Sequence, residues 1–149
     1  MKKVGFALLC MGIVSVAGAA DITIFYSPSC PHCHHARDFI NNDLIYEYDS
    51  LSVMEVDATT AENRQEFIDA LKKCKYESGG VPVMVIGEKC FQGYGDGLRD
   101  DLRAAVEVDL TDAQKQAATN NRNEMQNNKE NFVAAHQNRK DAVKSRSAK

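Results

Sequence analysis

Two cysteines separated by two residues sit where a strand-like run gives way to a helix-like one, and that placement constrains fold and chemistry together. Ile22-Thr23-Ile24-Phe25-Tyr26 is β-branched and aromatic, whereas Pro31 through Arg37, Phe39 and Ile40 suits a helix. Cys30-Pro31-His32-Cys33 lies at the junction. Backbone N–H groups at a helix N-terminus lack helical partners and stabilise a negative charge, and the thiolate is the attacking species in disulfide exchange. Cys30 is therefore the expected nucleophile. Two intervening residues bring Cys33 round the first turn to within reach of Cys30, so the pair can open and close as a disulfide. Pro31 suits that turn because its missing N–H would have had no helical partner. His32 is the expected tuning residue, since an imidazolium beside the sulfur favours the thiolate further.

The same residues also fit a bland reading. A CxxC can be half of a metal site or an ordinary structural disulfide, and His34 and His35 adjoin it. No second CxxC or HxxxH follows, and a strand before with a helix after favours redox chemistry over a metal. His34 and His35 read as exposed first-turn residues rather than ligands.

Ahead of this stretch, Lys2 and Lys3 precede an apolar run from Val4 to Val16, and Ala17-Gly18-Ala19-Ala20 supplies small residues. Residues 1–20 therefore read as a secretory signal peptide cleaved near Asp21, with the mature protein periplasmic or secreted. The run is short for a membrane anchor and no stop-transfer segment follows, so contact with a membrane is expected only before cleavage. Removing it leaves Cys30, Cys33, Cys74 and Cys90, an even set suited to an oxidising compartment. If Cys30 and Cys33 cycle, Cys74 with Cys90 is the other possible intramolecular pairing, a structural disulfide, against two separate thiols.

Composition excludes several classes. A 44% hydrophobic, 26% charged chain is ordinary for a globular domain, and a net charge of −3 argues against nucleic-acid binding. There is no P-loop and no Gly-rich dinucleotide fingerprint, so no nucleotide cofactor is implied.

Along the chain, Asn41-Asn42-Asp43 is expected to end the first helix, and Leu51 to Val56 alternates at a strand period. Phe67, Ile68 and Leu71 mark an amphipathic helix within Ala61 to Lys73. After Gly79-Gly80, Val81 to Ile86 is β-prone, and Gly87-Glu88 turns it into a second strand, Lys89 to Gln92. Gly93 to Gly97 reads as a loop, and Leu98, Leu102 and Val106 share a helix face.

The order β-α-β-α-β-β-α, with CxxC after the first strand and Pro82 opening the third, resembles the thioredoxin fold in its short, glutaredoxin-like form. The resemblance covers residues 21–108. It implies an α/β fold, a cis bond before Pro82 beside the redox pair, and a Val81 backbone that pairs with an extended substrate segment. The Pro31-His32 dipeptide resembles the CPHC motif of DsbA-type oxidants, although the helical insertion of those proteins has no room here. Gly93-Tyr94-Gly95-Asp96 is similar to the glutathione-binding Gly-Gly-x-Asp of glutaredoxins but one residue longer, and reads as a Gly-rich turn.

Residues 109–149 lie outside the resemblance. They are rich in Asn, Gln, Ala and charged residues, with Met125, Phe132, Val133 and Val143 as sparse apolar positions. Thr111-Asp112 can cap a helix, and the stretch reads as a polar tail, partly helical or disordered.

The expected function is exchange of disulfides with substrate proteins through a mixed disulfide on Cys30, as an oxidant recharged by a membrane or periplasmic redox partner. No cofactor or metal is needed. The rivals are a metal carrier using the Cys/His cluster and a catalytically idle adaptor.

Overall fold

The computed structural model describes residues 18–147. The expected signal peptide lies outside the described residues except for Gly18, Ala19 and Ala20, and no described helix is long and apolar enough to cross a membrane.

Among the described residues, five strands form one sheet in the order β4-β3-β1-β2-β5. β1 (Ala20–Tyr26) is central and pairs in parallel with β2 (Leu51–Asp57) and antiparallel with β3 (Val83–Ile86). β4 (Lys89–Gln92) returns antiparallel to β3 through Gly87, whose φ of 56° is the left-handed conformation a tight two-residue turn requires. The helices are α1 (Pro31–Phe39), α2 (Ile45–Glu47), α3 (Arg64–Cys74), α4 (Arg99–Glu107) and α5 (Asp112–Ala135). The β-α-β-α-β-β-α order expected for a thioredoxin-like α/β fold is present.

The period of two along each strand divides the core. Ile22, Ile24, Leu51, Val53, Met84 and Ile86 face α1, α4 and α5 in one cluster. Phe25, Val56 and Val83 face the other way, against Phe67, Ala70 and Leu71 of α3. Helices thus cover both faces of the sheet, and the strand ends that carry Cys30 are held from both sides.

Two expectations need correction. Asn41-Asn42-Asp43 does not end the first helix: the chain continues through a π-helical turn (Ile40–Leu44) into α2. Ile40, Leu44, Ile45 and Tyr48 are buried there, so tertiary burial outweighs the weak helix preference of the polar triplet. Asn41 also has its side chain occupied, donating to Glu55 Oε1 at 2.7 Å.

The second correction concerns the tail, which packs into the domain core. Thr111 caps α5 in a reciprocal box with Gln114. The helix kinks at Asn128 and buries Ala118, Met125 and Phe132 in the main core. The chain then adds β5 (Val143–Arg146) in parallel to the outer edge of β2. Polar side chains make the joint. Glu47, 1% exposed, receives Arg103 Nε and Nη2 at 2.8 and 2.7 Å and Arg122 Nε at 3.0 Å. Arg139 donates to the carbonyls of Ile45, Tyr48 and Leu51 at 2.8, 2.9 and 2.7 Å. Few apolar residues suffice because these guanidiniums add charge-assisted hydrogen bonds to buried acceptors across the joint.

Candidate active site

Cys30 is the N-cap of α1, with extended backbone, and Pro31 takes the first helical position. The Cys33 N–H donates to Cys30 Sγ at 3.2 Å, and the His34 N–H to the Cys30 carbonyl at 3.2 Å. The sulfur thus sits at the positive end of the helix, where the Cys33 N–H is shared between Cys30 Sγ and the Cys30 carbonyl, 3.1 Å away. Cys30 and Cys33 are joined as a disulfide with Cα atoms 5.2 Å apart. Their exposure differs. Cys33 is 1% exposed, whereas Cys30 reaches the surface between the exposed Ser29 and Pro31.

The Val81–Pro82 peptide bond is cis, and β3 starts one residue after Pro82 rather than at Val81. The Val81 carbonyl lies 3.6 Å from Cys30 Sγ, so residues 51 positions apart in sequence meet at the sulfur. Pro82 is buried, and its carbonyl accepts the Gly93 N–H at 2.8 Å, which extends the β3–β4 pairing by one bond.

The three histidines beside the cysteine pair are all exposed. His34 lies 2.8 Å from the Pro28 carbonyl through Nε2, which closes the turn before the helix. His32 and His35 are exposed, His32 standing between the two cysteines in sequence. Among the described residues no group of three or more His, Cys, Asp and Glu is placed to hold a metal ion.

Cys74 and Cys90 form a second disulfide, with Cα atoms 5.7 Å apart, that joins the end of α3 to β4. In the Gly93-Tyr94-Gly95-Asp96 loop, Tyr94 is turned into the core, where its hydroxyl receives Arg99 Nε at 3.3 Å.

Sequence reasoning missed a polar cluster beneath α1. Arg37, one turn beyond Cys33, stacks its guanidinium 4.2 Å over the Tyr26 ring and donates from Nη2 to Glu55 at 2.6 Å. Asn41 and Ser145 also donate to Glu55. Burial by itself would raise the Glu55 carboxyl, but the hydrogen bonds from Arg37, Asn41 and Ser145 offset it, so its pKa lies below the ordinary value of 4.5. The signal was present in the strand period, which places Glu55 on the same face as Leu51 and Val53. An acid at an apolar position announces a buried partner.

This cluster ties α1 to β2 and β5, and its contribution depends on pH. With a depressed folded-state pKa, Glu55 stabilises the protein above the unfolded value, and the effect is lost as pH falls through the folded value. Glu55→Gln should therefore be less stable than the parent at pH 7 by about 1–3 kcal/mol. That difference should shrink below pH ~4.5 in urea unfolding series. A gap that stays constant down to pH ~3 would contradict the depressed pKa.

No family model and no curated protein matches the chain. Two solved structures do. One is the glutaredoxin grx-1 from Archaeoglobus fulgidus, at 20% identity and TM-score 0.44, covering 60% of this chain and 88% of that one. The other is a candidate thioredoxin from Neisseria meningitidis, at 18% identity and TM-score 0.40, covering 67% and 81%.

Proposed function

We propose that this protein is an exported thiol:disulfide oxidoreductase that exchanges disulfides with substrate proteins and acts as an oxidant. The observation that carries the reading is the asymmetric pair: an accessible Cys30 at a helix N-terminus bonded to a buried Cys33, with the Val81 carbonyl 3.6 Å from the accessible sulfur.

In the oxidising direction, a substrate thiolate attacks Cys30 Sγ. The Cys30–Cys33 bond breaks and Cys33 leaves as a thiolate. A second substrate thiolate then attacks the substrate sulfur of the mixed disulfide, closing the substrate disulfide and releasing Cys30. Two electrons have passed from substrate to enzyme. The helix N-terminus favours that last leaving group, and Cys33 resolves the mixed disulfide when exchange runs in reverse. A membrane or periplasmic partner restores the enzyme disulfide.

The poise follows from the same electrostatics, because stabilising the thiolate favours the reduced form and makes the disulfide a stronger oxidant. If the helix terminus and His32 together stabilise the thiolate by about 4 kcal/mol more than a thioredoxin-like site does, the potential rises by ~90 mV from thioredoxin's roughly −270 mV, to about −180 mV. The deciding experiment equilibrates metal-free protein with glutathione buffers and repeats the titration for His32→Ala. The expected result is a reversible two-electron couple near that value that becomes more reducing in the variant. A couple close to thioredoxin's, or one indifferent to His32, rejects the oxidant role. Thiols that do not cycle at all reject the enzyme.

A further inference from the structure

The loop leading into Pro82 is held in place by a side chain outside the cysteine pair. Ser78, Gly79 and Gly80 are exposed and belong to no helix or strand, and two consecutive glycines allow the backbone many conformations. Gln92 closes β4, opposite Val83 of β3. Its side-chain amide donates to the Ser78 carbonyl at 2.8 Å and to the Gly80 carbonyl at 2.9 Å. A primary amide has two N–H groups, and both are engaged here.

These contacts set the direction of the next peptide. The Gly80 carbonyl is held against the Gln92 amide, and the carbonyl of the next residue, Val81, lies 3.6 Å from Cys30 Sγ. The Gly93 N–H, one residue beyond Gln92, fixes the Pro82 carbonyl at 2.8 Å. The end of β4 thereby grips the chain on both sides of Val81. Among the described residues the Val81 N–H has no backbone acceptor.

We infer that Gln92 is a positioning residue for extended substrates, clamping Ser78 and Gly80 so that the Val81 backbone is presented beside Cys30, ready to pair with a bound segment as an added strand. It touches neither sulfur nor substrate. The inference rests on the oxidoreductase reading and specifies which substrates that site prefers: unfolded or extended dithiol segments over compact small thiols. Without the clamp, the bound segment must order the loop itself, and that ordering weakens binding.

The test uses the full chain carrying Gln92→Leu, which removes both donors at similar size, and Gln92→Glu, which sets a carboxylate against the two carbonyls. Single-turnover oxidation of an extended dithiol peptide and of dithiothreitol by the Cys30–Cys33 disulfide is followed as a function of concentration, and the reduction potential is measured alongside. Both variants should raise the half-saturating peptide concentration about tenfold, the loss expected for ordering roughly one backbone residue on binding. The limiting peptide rate, the dithiothreitol rate and the potential should not move. Unaltered peptide saturation in either variant overturns the inference. So does a parallel fall with peptide and dithiothreitol, which would make Gln92 a general support of the fold. A parent protein that oxidises neither dithiol rejects the oxidoreductase reading itself, before any variant is compared.

Discussion

Cutting the chain after Leu110 should abolish the cooperative fold. The expectation from composition was the opposite, since residues 109–149 look like a dispensable polar tail, but the structure buries Met125 and Phe132 from that segment at 5% and 7% exposure. Truncating a buried Met or Phe to alanine typically costs about 2–5 kcal/mol, so losing both approaches the 5–15 kcal/mol by which a whole domain is stable. The polar joint adds to this. Without Arg139, the carbonyls of Ile45, Tyr48 and Leu51 each lose a donor, and without Arg122 the buried Glu47 keeps only Arg103. Removing β5 also bares the edge of β2, a row of unpaired backbone groups that invites association between chains. Circular dichroism melting of a protein ending at Leu110 should show no cooperative transition, or the product should be insoluble. A soluble truncation melting within a few degrees of the full chain would return the boundary to residue 108.

Cys33→Ala should accumulate substrate proteins covalently attached through Cys30, whereas Cys30→Ala should trap none and lose exchange entirely. Accessibility sets this division of labour. Cys30 is reached from solvent and accepts the Cys33 N–H, while Cys33 is 1% exposed and can attack only the adjoining Cys30 Sγ, which releases the substrate as a thiolate. With Cys33 replaced, the enzyme has no nucleophile of its own to resolve a mixed disulfide, and one whose substrate has no second thiol within reach persists. Non-reducing electrophoresis of an extract oxidised in the presence of each variant, read with an antibody to this protein, distinguishes the two. Equal trapping by both variants, or by neither, would refute the assignment.

How legible each feature was in the sequence depended on how local its cause is. Cys30 at the helix start, the Lys89–Gln92 hairpin return through Gly87-Glu88 and the Thr111 cap are all set by residues within one turn of one another, and all are visible as local patterns. Lateral polar contacts carried no such pattern. Glu47 lies in the apolar run Leu44 to Tyr48 and Glu55 in the strand Leu51 to Asp57. The arginines that make their burial tolerable, Arg37, Arg103 and Arg122, lie 18, 56 and 75 residues away. Gln92 is similar, an ordinary strand residue until the fold sets its amide under two loop carbonyls.

The sequence by itself determined the redox pair, the strand and helix order of residues 21–108 and the likeness to the thioredoxin fold, because helix-terminus chemistry and hydrophobic periodicity act over a few residues. Only the tertiary structure decided that the first helix runs past Asn41-Asn42-Asp43, that Cys74 meets Cys90, and that the polar C-terminal segment completes both the core and the sheet. Each of these depends on what the distant chain offers: a buried surface for Leu44 and Tyr48, an edge on β2, and acceptors for Arg139. A segment with few apolar residues is held in a domain when those few are fully buried and its charges meet buried partners, and neither condition is written in the segment itself.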